Sequence, residues 1–399
     1  MVDERVLTEL DRRLAPVDAA RAVAYPGDSP VRQPVHTCYV PADAVVPGVT
    51  AAWGTAALAA LDEHGLPDLG LPADLVADVL PRVRAKLAAE PVEDLRVDAE
   101  DGYLGAPDAE DGDVRRAAAV LAAEPALPPF LGMRAKSLEG PARRRGVRSL
   151  DLFLGGLAGA GRDRAVVTLP KVTAVEQVAA FLPVLDALEQ EHGLALDLEL
   201  QVETPQAVLG ADGTTTLARM LHAGAGRVIG LHYGTYDYSA SLGIAAAHQS
   251  SDHPAADAAK QAMQVAVAGT GARAVDGSTN VLPVGGSAAV HAAWQLHARL
   301  VRRALERGFY QGWDLHPAQL TTRYVATYAF FRAALPAAAA RLEAYVNKVA
   351  GGVLDEPATA RALATVVLRG LDCGALDGDE VAAATGLDRA ELDRLAGRR

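Results

Sequence analysis

Residues 165–203 read AVVTLPKVTAVEQVAAFLPVLDALEQEHGLALDLELQVE. A β-branched, apolar run at 165–169 gives way to helical spacing from Thr173 to His192, a stop at Gly193, and a second strand-like run at 197–202. Two short strands separated by one long amphipathic helix form the repeating unit of parallel α/β architecture. Working outward, similar runs lie at 36–40 (HTCYV), 94–98 (DLRVD), 130–135 (FLGMRA), 227–232 (RVIGLH), 272–275 (ARAV) and 313–316 (WDLH). The stretch 287–307 (SAAVHAAWQLHARLVRRALER) is again helical and stops at Gly308. About eight strands with helices between them, over about 320 residues, suit a closed (β/α)₈ TIM barrel. An open doubly wound sheet is the alternative, because strand order is not visible in sequence. From 321 onward the pattern is helical only. We therefore expect a TIM-barrel catalytic domain over 1–320 and a C-terminal helical extension over 321–399, a lid or oligomerisation arm with no core of its own.

The composition excludes several classes of function. The chain has 399 residues, half of them apolar, and a formal net charge of −12. A nucleic-acid partner would need a basic face, and the only basic run is Arg143, Arg144 and Arg145. Cys38 and Cys373 form no disulfide framework and have no metal-ligand spacing. The charged start MVDERVLTELDRRL lacks an apolar signal core. No stretch approaches the roughly 20 apolar residues of a membrane span. A cytoplasmic protein is the expectation.

In a barrel of this type chemistry gathers at the C-terminal ends of the strands. There the sequence places Asp98, Glu100 and Asp101, then Arg134, Lys171, Glu203, Asp237, Asp276, and finally Asp314 and His316. Glu203 and Asp237 follow neighbouring strands, and two carboxylates plus waters suffice for Mg²⁺, a hard ion that prefers oxygen. Arg134 has the fork geometry to grip a carboxylate or enolate at two points. Lys171 either pairs with the acidic cluster or forms a Schiff base with a carbonyl substrate. His316 reads as a loop-fixing residue. QVAVAGTGARA, with Gly269, Gly271 and Ala274, imitates a dinucleotide fingerprint, but VDGSTNVLPVGG follows where that fingerprint requires a helix.

Taken together, residues 33–360 resemble the citrate lyase β-subunit/HpcH–HpaI aldolase superfamily, in the same segment order. The resemblance rests on HTCYVPAD, LRVDAEDGY, Arg134, LPKV, VETPQAVL, YGTYDYSASLG, AVDG, RGFYQGWDLHPAQ and GGVLDEPATARAL. It implies that Glu203 and Asp237 are metal ligands for Mg²⁺, with Mn²⁺ as an alternative. It also implies that Arg134, Glu100, Thr204, Gly234 and Thr235 surround the substrate. The base it implies is Asp355, often reaching a neighbouring subunit's site, with Asp101 second, and an in-trans Asp355 implies a homo-oligomer. Gly312 stands where CoA-using members often have lysine, Val35 where an arginine commonly opens the first strand, and about 50 residues separate the first two strands. The CoA ester is therefore left open. The implied reaction is carbon–carbon cleavage or formation on a 2-oxo or hydroxy acid through a metal-stabilised enolate. A Schiff-base aldolase using Lys171 and a catalytically silent barrel with an assembly or regulatory role are the alternatives.

Overall fold

The structure is a computed structural model that describes residues 2–159, 161–347 and 356–398. An N-terminal helix α1 (Glu4–Ala24), none of whose residues is buried, precedes β1 (His36–Pro41), α2 (Val49–His64) and α3 (Ala73–Ala89). Strand and helix then alternate: β2 (Asp94–Asp98), α4 (Glu110–Ala122), β3 (Phe130–Arg134), α5 (Arg143–Leu157), β4 (Arg164–Leu169) and α6 (Val175–His192). The second half continues with β5 (Ala195–Val202), α7 (Pro205–Val208), α8 (Thr216–Ala223), β6 (Val228–Tyr233), α9 (Thr235–Ser241), α10 (Pro254–Val267), β7 (Arg273–Val275), α11 (Ser287–Glu306) and β8 (Gly312–Asp314). The chain ends in α12 (Gln319–Val346), α13 (Pro357–Cys373), α14 (Gly378–Thr385) and α15 (Arg389–Ala396).

All eight strands are parallel, in the order 7-6-5-4-3-2-1-8. That order never reverses, so the open doubly wound sheet is excluded: such a sheet needs a switch point. At the remaining seam the Asp276 amide donates to the Gln311 carbonyl at 2.9 Å, linking the end of β7 to the approach of β8. The result is a nearly closed (β/α)₈ barrel.

The inner face of this barrel is polar. Along β2, Asp94, Arg96 and Asp98 alternate with apolar Leu95 and Val97, and along β5, Glu199, Gln201 and Glu203 alternate with Leu200 and Val202. A period of two puts each triplet on one face of its strand. Arg96, fully buried, donates to Asp94 at 3.1 Å, to Glu199 at 2.8 Å and to Thr168 at 3.0 Å. The apolar alternates pack outward against the helices and form the main core.

Helix α12 runs without a break across residue 320. Its first half is buried against the barrel, while Ala338 and Leu342 join Ala364, Leu368, Val381, Leu392 and Ala396 in a separate cluster. The helical extension therefore has a small core of its own, contrary to the expectation from sequence. The periodicity of three short helices did not reveal that they converge on one another.

Gly312 has a structural reason to differ from lysine. A Cβ there would lie 2.9 Å from the Arg323 guanidinium, which is buried against Asp314. Among the described residues no helix is long and apolar enough to cross a membrane.

Candidate active site

The C-terminal ends of β1–β3, β5, β6 and β8, with the turn after β7, surround a cavity of about 350 Å³. Its polar lining includes Asp98, Asp101, Arg134, Glu203, Thr235 and Asp237, and Tyr39, Trp313 and Leu315 supply an apolar wall.

Glu203 is the first residue past β5 and is 2% exposed. Its Oε1 accepts the Lys171 backbone N–H at 2.7 Å. The Gln201 amide, in the orientation that satisfies both of its ends, donates to Glu203 and accepts from Arg134, each at 3.2 Å. Burial is the main reason the Glu203 carboxyl is pushed up to about 7, with Arg134 and Lys171 opposing and Asp237 adding to the shift. Gly234 makes this seat available, because a Cβ there would stand 2.4 Å from the Glu203 Cβ and 2.6 Å from its Oε2.

Asp237 lies in the first turn of α9, the short helix launched at Gly234, and remains part-exposed. Its pKa is raised, first by burial and further by the neighbouring Asp101 carboxylate. Thr235 ties the same turn to the segment after β7, donating to the Ser278 carbonyl at 3.1 Å.

Asp98 carries a part of the site that the sequence reading did not separate from its acidic neighbours. It lies in register with Arg134 on the adjacent strand and accepts from Arg134 Nε at 2.7 Å and from Arg134 Nη2. It also accepts the backbone N–H of Glu100 at 3.0 Å and of Gly102 at 2.9 Å, which shapes the loop after β2. The two-point edge of Arg134 is thus taken up by Asp98, and its guanidinium lies 4.7 Å over the Tyr39 ring. An arginine has five N–H groups; with Gln201 as the third acceptor, two remain for a ligand.

Lys171 gathers the acidic loop. Its ammonium is 2.6 Å from Glu100, 2.7 Å from Asp101 and 3.6 Å from Asp237. Burial works against its charge, but Asp101 and Glu100 more than offset it and hold its pKa above the usual lysine range. Glu100 is pushed up, first by burial and then by Asp101, while hydrogen bonds to Glu100 and Lys171 keep Asp101 low in spite of its own burial. Schiff-base formation needs a neutral amine, which this environment opposes. We expect no covalent adduct at Lys171 when the protein is treated with pyruvate and borohydride; a mass increase located there would overturn this assignment.

The expected site residues thus separate into three groups. Arg134, Glu203, Asp237, Asp101, Lys171, Glu100, Gly234 and Thr235 come together at the mouth. Thr204 does not line the cavity: its hydroxyl donates to the Val172 carbonyl at 2.7 Å and caps α7. Asp355 lies outside the described residues.

The donor set suits a hard divalent cation. Glu203 and Asp237 offer only oxygen, and both carboxyls are pushed up in pKa, Glu203 chiefly by burial and in part by Asp237, so a cation between them would relieve that cost. By contrast His36, Cys38 and Asp314 lie within 4.8 Å of one another in the barrel wall, but Asp314 is already neutralised by Arg323 at 2.9 Å and bonded by His36 at 2.9 Å.

Comparison with known proteins agrees with this architecture. The chain aligns with a citrate lyase from Burkholderia xenovorans LB400 at 20% identity and TM-score 0.59, over 88% of this chain and 96% of that one. It aligns with a CitE protein of Mycobacterium tuberculosis, in complex with magnesium, acetoacetate and coenzyme A, at 18% identity and TM-score 0.52, over 86% and 99%. A Haloferax volcanii malate synthase matches at 15% identity and TM-score 0.51, over 75% and 76%. No curated protein matched the sequence. A family model described as "Domain of unknown function (DUF6986)" matches residues 14–399. The chain is therefore a member of the DUF6986 family, and its barrel has the fold of the citrate lyase and CitE structures.

Proposed function

We propose that this protein is a Mg²⁺-dependent carbon–carbon lyase or aldolase acting on a small 2-oxo or hydroxy acid, with Mn²⁺ as an alternative metal. The observation that carries the reading is a buried Glu203, pushed up to about 7, sharing one cavity with Asp237 and Arg134. A cation held by Glu203 and Asp237 would polarise the carbonyl of the substrate and orient its carboxylate. Arg134, fixed by Asp98, offers its remaining N–H groups to the charge that develops on the enolate oxygen. The backbone at Gly234 and Thr235 faces the substrate carboxylate at the same wall. Tyr39, Trp313 and Leu315 keep water from the carbanionic carbon. Lys171 holds Glu100 and Asp101 at the rim, with Asp101 kept ionised and able to take a proton at its carboxylate. Asp355 is the alternative base, supplied from the same chain or from a partner in a homo-oligomer.

A cavity of about 350 Å³ suits a small acid and leaves a CoA moiety to lie outside the barrel mouth. The test is hydrogen–deuterium exchange followed by NMR in D₂O, with pyruvate and separately acetyl-CoA, with Mg²⁺ and with chelator. Chelator-sensitive loss of the pyruvate methyl signal is the expected result. Loss from acetyl-CoA alone would move the substrate class to CoA esters, and no exchange from either would count against the enolate reading.

A further inference from the structure

A second polar cavity, of about 200 Å³, lies at the opposite end of the barrel, around the start of β7. It is bounded by Asp28 and Gln33 ahead of β1, by the loop after α10, by Tyr310 ahead of β8, and by Arg369 of α13 and Arg398 near the chain end. Three guanidinium groups therefore line it, those of Arg273, Arg369 and Arg398. Asp28 is the one carboxylate among its described lining residues.

The partners of these arginines are mostly neutral. Arg273 donates to the backbone carbonyls of Val31 at 2.9 Å and Arg32 at 2.8 Å. Arg369 lies 4.2 Å over the Tyr310 ring and donates to the Gln33 side-chain carbonyl, while its buried Nε has no hydrogen-bond partner. Arg398 is the exception, paired with Asp372 at 2.9 Å and 4.0 Å from Asp393, neither of which lines the cavity. Burial lowers the Arg273 pKa to about 10, with Arg369 contributing, and burial together with Arg398 lowers that of Arg369. Like charges held close in a partly dry pocket are costly unless an anion joins them. A role as struts accounts for the bonds to Val31, Arg32 and Gln33. It leaves the orphaned Nε and the clustering of charge without a reason.

We propose that this cavity binds a phosphate-type dianion, either free phosphate or the phosphoryl end of a small ester, and that occupation clamps α13 and the chain end to the base of the barrel. Guanidinium groups match the oxygens of such an anion geometrically as well as in charge. The loop that imitates a dinucleotide fingerprint contributes Gly271 and Ala272 to this cavity, with φ of +83° at Gly271. It is followed by β7 and not by a helix, so recognition falls to the arginines. The site is remote from Glu203 and Asp237 and does not depend on the reaction proposed there.

The test uses the full-length protein, thermal unfolding and titration calorimetry at fixed ionic strength. Millimolar inorganic phosphate is expected to raise the midpoint by a few degrees, and chloride at equal ionic strength to leave it unchanged. Arg369→Gln and, separately, the milder Arg398→Gln are expected to weaken phosphate binding at least tenfold, whereas Glu203→Gln retains it. Glycerol phosphate binding more tightly than inorganic phosphate would identify an ester as the ligand; weaker binding would identify the free anion. An unchanged midpoint in phosphate, an equal response to chloride, or full phosphate binding in both arginine variants would overturn the proposal.

Discussion

Glu203→Gln and Asp237→Asn are each expected to abolish divalent-metal binding and lower turnover by about 10³-fold or more, because both the charge and the template for the enolate go together. The fold should survive, since a glutamine at 203 keeps an oxygen to accept the Lys171 N–H and Asp237 is part-exposed at the mouth. Glu203 adds a second, metal-independent signature. Folding moves its pKa from 4.5 to about 7, so between those values the native protein binds one proton more than the unfolded chain. Stability contributed by the neutral acid is present at low pH and lost as pH rises through that window. The amide variant lacks this loss, and the metal-free variant should exceed the parent at pH 8 by about 3 kcal/mol. Metal binding by the parent should strengthen over the same range, as the carboxyl must shed its proton to act as a ligand. Calorimetric titration with Mg²⁺ at pH 6 and 8, beside urea unfolding with chelator, measures both effects. Parent-like metal affinity in the two variants would remove the assignment.

Much of this site was legible because period and position coincide in a barrel. A strand of period two that ends in a carboxylate delivers that group to the mouth, and the segments ending at Asp98, Arg134 and Glu203 lie within a residue or two of the expected bounds. The pairing of Asp98 with Arg134 was not legible. It depends on register between two strands, which a single sequence does not display. For the same reason Arg134 looked like an open two-point clamp when that edge is already engaged. Thr204 shows the converse error: it follows Glu203 directly, yet alternation turns its hydroxyl away from the cavity and onto Val172. Gln201, Tyr39 and Trp313 carry no charge to mark them, although the alternation in LELQVE, HTCYV and WDLH places them on the inner face. The arginine cavity escaped altogether, since Gln33, Arg273, Arg369 and Arg398 are scattered over the chain.

Arg96→Met is expected to cause the largest loss of stability, about 3–5 kcal/mol in urea unfolding at pH 7. Arg96 is fully buried and is the cation shared by Asp94 and Glu199 in the barrel interior. Burial and the nearby Glu199 already push the Asp94 carboxyl up, while Arg96 and His232 hold Glu199 well below the usual range in spite of its burial. With the guanidinium gone, both carboxyls are left in a dry layer with only Thr37, Thr168 and His232 as polar company. At least one must then take up a proton, so the deficit should shrink as pH is lowered toward 5. Adding Glu199→Gln to Arg96→Met should recover part of the loss, because the cost lies in uncompensated charge and not in lost volume. The same layer supports the reactive one. Gln201 stands two residues along β5 from Glu199 and links Arg134 to Glu203 directly above it. Loosening the Arg96 layer should therefore lower turnover even where the protein remains folded. A loss below about 1 kcal/mol would mean that water reaches this layer and that the charged interior does not hold the barrel together.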